Sequence, residues 1–161
     1  MEGDGKEWVA SEASLFAEHE EAREKIIILL TDTAQLSERH AALSCLRRIF
    51  DKYLECPTLL DPYLEEMVSI LSEAAIQRVN VPSIELRFLL SALYSLAKVS
   101  GRKRIQRFLT HEVRHVEPVM LCLQNLSRDL ENKEFMEEEP LLWESIYVMW
   151  IWMGMLSLVP F

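Results

Sequence analysis

Residues 88–97 read Phe88-Leu89-Leu90-Ser91-Ala92-Leu93-Tyr94-Ser95-Leu96-Ala97, an unbroken run without a charged side chain. Wound into a helix, such a run has no polar face, so neighbouring elements must cover it on every side. It predicts the central buried helix of an all-α fold. The helix is expected to open near Ser83, just past the Asn80-Val81-Pro82 break, and to stop at Gly101, a good C-cap. Working back toward the N-terminus, Leu64, Met67, Val68, Leu71, Ala74 and Ala75 form the apolar face of the preceding helix. Its start signal is Asp61-Pro62: the aspartate can cap free amides, and the proline carries the φ of a first helical position. Glu65 and Glu66 then sit where the helix dipole favours negative charge. Earlier still, Leu43, Leu46, Ile49, Phe50, Tyr53 and Leu54 step by three and four, with Arg39, Arg47, Lys52 and Glu55 placed off the stripe. Pro57 ends that helix. Ile26, Ile27, Leu29 and Leu30 mark the first helix, ending near Thr33. Downstream, an amphipathic helix is expected from Val116 to Leu130 through Val119, Met120, Leu123 and Leu126. An acidic connection, Glu131 to Glu139, leads to the almost wholly apolar Leu141–Phe161.

The plan is helix, short break, helix, repeated. Antiparallel helix pairs joined by short loops are the unit of HEAT- and armadillo-like solenoids, and that is the expected architecture. No strict sequence repeat at a period of ~40 residues accompanies it, so a plain helical bundle is the alternative. Residues 1–10, with Gly3 and Gly5 among charges, read as a flexible N-terminus, and 11–161 as the helical-repeat segment. Composition agrees: 161 residues, half of them hydrophobic, contain only 4 Gly and 6 Pro, too few turn formers for a sandwich or barrel. The formal net charge of −9 argues against nucleic acid and against an anionic membrane surface, both of which require a basic face. Cys45, Cys56 and Cys122 match no metal-ligand spacing, and their odd number without a secretory leader points to a reducing compartment. Cytosol is the expected location.

Four features invite a chemical reading. His111-Glu112-Val113-Arg114-His115 spells HExxH, which on a helix stacks two zinc-binding histidines with Glu112 as general base. Pro118 follows too closely for a helix to continue through it, and no third ligand is at hand; exposed polar residues in a connection outweigh zinc. Arg102, Lys103, Arg104 and Arg107 form a basic cluster after Gly101, a possible contact for phosphate or an acidic protein, beside the plainer reading of a solvated turn. Glu131, Glu134, Glu137, Glu138 and Glu139 would suit a basic partner or simply a solvated loop. The cysteines read as structural thiols. With no GxSxG elbow and no Gly-rich phosphate loop, the expectation is no catalytic residue, no metal and no cofactor.

The apolar C-terminal stretch has two readings. It is a membrane tail anchor over residues 141–161, or a core helix whose covering partners lie in sequence beyond the chain. An anchor needs roughly 20 residues and gains from a basic flank; Pro160 and the missing flank favour the second reading.

Four blocks resemble the tubulin-folding cofactor D family. They are Ile49-Phe50-Asp51-Lys52-Tyr53 with Leu60-Asp61-Pro62-Tyr63-Leu64-Glu65; Lys98-Val99-Ser100-Gly101-Arg102-Lys103; Phe108-Leu109-Thr110-His111-Glu112-Val113 with Val116-Glu117-Pro118-Val119; and Trp143-Glu144-Ser145 with Trp152 and Leu158-Val159-Pro160-Phe161. They fall in family order across most of residues 45–161, while residues 1–40 show no match. Arg102 stands where the family has an aromatic residue, Thr110 where it has proline, and His115 where it has a small or acidic residue, which weighs further against zinc. The resemblance implies the N-terminal portion of a larger HEAT-repeat protein that continues past Phe161. It also implies the partners: β-tubulin released from the chaperonin, the sister cofactors C and E, and an Arf-like small GTPase. The implied role is assembly of the α/β-tubulin heterodimer, with promotion of GTP hydrolysis by tubulin, in the cytoplasm at the microtubule cytoskeleton. No tubulin-contacting residue is implied at any position.

Overall fold

A computed structural model of the chain describes residues 16–81, 83–132 and 140–159. Seven helices appear among them: α1 (His19–Leu30), α2 (Leu36–Asp51), α3 (Asp61–Ile76), α4 (Ile84–Ser100), the short α5 (Arg102–Gln106), α6 (Val116–Asn132) and α7 (Pro140–Leu156). Short 3₁₀ turns occupy Pro57–Leu60 and Val113–His115, and no strand occurs among the described residues. Successive helices pack as pairs, α1 on α2, α3 on α4 and α6 on α7. Across the pairs, α1 meets α3, α2 meets α4, and α4 meets α7. The pairs therefore stack, as the helical-repeat reading requires.

The charge-free run sits where expected, at the middle of α4. Phe88, Leu89, Leu90, Ser91, Ala92, Leu93 and Leu96 are all fully buried, and Tyr94 alone in the run keeps partial exposure. Covering them takes three helices, α2, α3 and α7. Burial of each large side chain contributes about 1.5–3 kcal/mol. The helix opens at Ser83 as predicted, and the Ser83 Oγ caps it by accepting the Leu86 amide at 3.4 Å. At the other end Gly101 adopts φ +89° and ψ 145°, a region that side chains with a Cβ rarely enter. No atom would meet an added Cβ there, so Gly101→Ala is expected to cost about 1–3 kcal/mol through backbone strain alone. Urea denaturation measures it; an unchanged midpoint would show that the corner relaxes freely.

The structure corrects several expectations. Arg39, placed off the α2 stripe, is buried: its guanidinium donates to the carbonyls of Leu29 (3.0 Å), Thr31 (2.6 Å) and Ala34 (3.3 Å). It satisfies the orphan acceptors where α1 ends. The α2 stripe stops at Phe50, because the helix ends at Asp51; Tyr53 lies half-buried in the following turn and Leu54 is exposed. Asp61 makes no capping bond, and its carboxylate instead accepts Arg104 Nη1 at 2.7 Å. On α6, Val119, Leu123 and Leu126 are buried as expected, but Met120 faces solvent.

The C-terminal helix is covered along one face by the chain's own helices. Leu142, Val148, Met149, Trp152 and Leu156 are fully buried against α4 and α6, and so are Glu144 and Ser145. Among the described residues no helix is long and apolar enough to cross a membrane. The predicted flexible N-terminus (1–10), positions 133–139 of the acidic connection, and Pro82, Pro160 and Phe161 lie outside the described residues.

Candidate protein-interaction surface

The predicted basic cluster lies on and beside α5, where Gly101 turns the chain off α4. No Asp or Glu occurs between Glu85 and Glu112, so this part of the sequence supplies cations only. Arg87 pairs with Asp129 of α6 at 3.0 Å, and two cations nearer the corner are also answered from other helices. Lys98 Nζ lies 3.2 Å from Asp51 Oδ1, and Arg104 pairs with Asp61. Arg102, Lys103 and Arg107 are exposed and have no ion-pair partner among the described residues. The Arg107 guanidinium sits 5.9 Å above the Phe108 ring, in cation–π range. A cleft of about 290 Å³ opens here, lined by Asp61, Leu64, Arg104, Arg107 and Phe108.

The HExxH pentapeptide does not form the geometry zinc would need. His111 and Glu112 lie in extended chain, and Val113–His115 is a 3₁₀ turn, so the two histidines are not stacked on one α-helix. α6 begins only at Val116, which places Pro118 in a first turn, where proline is tolerated. His111 Nδ1 lies 3.2 Å from the Leu109 carbonyl. His115 lines a cleft of about 490 Å³ with Glu73, Gln77, Asn80, Thr110 and Glu112. Burial holds its imidazole below the ordinary value of 6.5, which keeps it neutral near pH 7. Among the described residues no group of three or more His, Cys, Asp or Glu is placed to hold a metal.

The thiols divide by environment. Cys45 and Cys122 are buried and Cys56 is exposed. Burial pushes the Cys122 thiol up to about 11, and burial with the nearby Glu21 carboxylate raises Cys45. The thiolate is the reactive form. Iodoacetamide at pH 8 is therefore expected to modify Cys56 alone in the folded chain, and all three in urea, as read by mass spectrometry. Rapid loss of the Cys122 thiol under native conditions would contradict the packing of α6.

The segments that carry the sequence resemblance also meet in space. The Asp51–Lys98 pair joins the first block to the second, and Arg104, just past the second block, returns to Asp61 of the first. The indole Nε1–H of Trp152 donates to the Thr110 carbonyl at 2.7 Å, tying the fourth block to the third. Residues 50–161 match the profile of the family described as tubulin-specific chaperone D-like, ARM repeat. The chain belongs to that family. No solved structure matches it.

In this chaperone D-like chain, two features left no signal in the sequence. One is the Arg47–Glu144 pair: both nitrogens of the guanidinium fork reach both carboxylate oxygens at 2.7 Å, linking α2 to α7. A separation of 97 residues left no local signal for it. The other is an aromatic row on α7. Trp143, Tyr147 and Trp150 share one helix face at i, i+4 and i+7 and are 41–61% exposed. Tyr94 of α4 packs edge-on against Trp143 and Tyr147, with centroids 5.1 and 5.5 Å apart. The stretch was legible as apolar, but its division into a covered and an open face depends on where α4 and α6 lie.

Proposed function

We propose that this chain is a protein-binding scaffold for tubulin assembly, with β-tubulin as its principal partner. The family match over residues 50–161 carries the reading. Stacked helix pairs suit the task, because they present extended surface without needing a catalytic pocket. In this reading the chain is not an enzyme and uses no metal or cofactor. Where the family promotes GTP hydrolysis, the nucleotide and the reacting groups belong to tubulin, and the scaffold contributes position. Sister cofactors C and E and an Arf-like small GTPase are the further partners, and the cytoplasm and microtubule cytoskeleton are the place of action. The test is retention: immobilised chain, shown to be helical by circular dichroism, is exposed to purified tubulin and, separately, to the small GTPase. Saturable retention of β-tubulin is expected. A folded chain that retains neither partner removes the proposal.

A further inference from the structure

We propose that the basic corner at the α4–α5 junction is a docking site for an acidic, extended protein segment that also carries an aromatic or aliphatic side chain. The charge distribution points there. A chain of net charge −9 concentrates Arg102, Lys103 and Arg107 on one exposed corner and leaves them without carboxylate partners among the described residues, while Asp51 and Asp61 answer only Lys98 and Arg104. Arginine forks bind carboxylates in two-pronged fashion, so Arg102 and Arg107 are suited to Asp and Glu side chains. The cleft beside them supplies apolar surface from the half-buried Phe108, over a floor where Leu64 is buried and beside the Asp61–Arg104 pair that neutralises its acidic member.

The size of the patch selects the class of partner. Screening confines its attraction to about 8–10 Å, so an occupant must fit the corner itself. Duplex nucleic acid and anionic bilayers spread their charge over a much wider area and would face the acidic remainder of the surface. A short acidic peptide touches only the corner. The inference rests on this geometry and is independent of tubulin binding; either can fail while the other holds.

Fluorescence anisotropy on the full chain decides it, with a short labelled peptide of glutamates flanking one phenylalanine as the probe. Saturable binding is expected, weakening as salt is raised and lost for the peptide with glutamine in place of glutamate. The double variant Arg102→Glu/Arg107→Glu is expected to weaken it by about tenfold or more. Arg48→Glu, an exposed arginine on α2, is expected to leave it unchanged. The proposal is overturned if the glutamate peptide does not bind, or if both variants bind it equally. It is also overturned if duplex DNA or phosphatidylserine vesicles bind the corner more tightly than the peptide does.

Discussion

Trp152→Ala is expected to lower the stability of the chain by about 4 kcal/mol, the largest effect of any single core truncation here. Trp152 is the largest fully buried side chain among the described residues. It packs on the inner face of α7, which α4 and α6 cover. Truncation leaves a void bounded by helices that close packing prevents from collapsing fully. It also removes the donor to the Thr110 carbonyl, the bond that fixes the connection between α5 and α6 to α7. Trp152→Phe separates the two contributions: it retains most of the apolar volume and loses the donor, for an expected cost of about 1–3 kcal/mol. Native domains hold only about 5–15 kcal/mol in reserve, so the alanine variant is expected to melt well below the parent by circular dichroism. Equal losses for alanine and phenylalanine would mean that the hydrogen bond, and not the volume, is what matters.

Arg47→Ala is expected to cost about 3 kcal/mol, because it strands a carboxylate that the fold has removed from water. Glu144 is 3% exposed at its side chain, whereas Arg47 retains 32%, so solvent softens the arginine side and places the loss at the low end of the buried-pair range. The charge itself is not required for stability. An apolar pair of similar volume avoids desolvation altogether, so Arg47→Met combined with Glu144→Leu is expected to recover most of what Arg47→Ala loses. Urea titrations of the single and double variants form the cycle that isolates the coupling. Strict additivity would show that α2 and α7 do not depend on this contact.

The helices were legible where apolar spacing alone decides the outcome. α3, α4 and α6 begin and end close to their capping and breaking residues, and the uncharged run of α4 correctly announced a helix covered all round. What escaped depends on distance along the chain. Arg39 and Arg47 look identical in sequence, two cations beside an apolar stripe. One folds back on the carbonyls that end α1, and the other reaches a glutamate on the last helix. Tyr53 extended the α2 stripe on paper, yet its ring packs edge-on against Phe16 at 5.2 Å and its hydroxyl donates to Glu18, holding a turn where the spacing suggested more helix. For α7, hydropathy recorded how apolar the segment is and could not say how much of it α4 and α6 would cover. The basic corner was visible as a cluster; which of its members stay unanswered depended on Asp51 and Asp61, two helices away.

With α4 clasped by α2, α3 and α7, unfolding is expected to be cooperative. Loosening any one pair uncovers the shared axis, so the pairs have little freedom to fray one at a time. Amide protons at the centre of α4 should then exchange with solvent only through opening of the whole unit. The basic corner is thus mounted on the end of that shared axis, held to it by Arg104 on Asp61 and Gln106 on the Ile151 carbonyl.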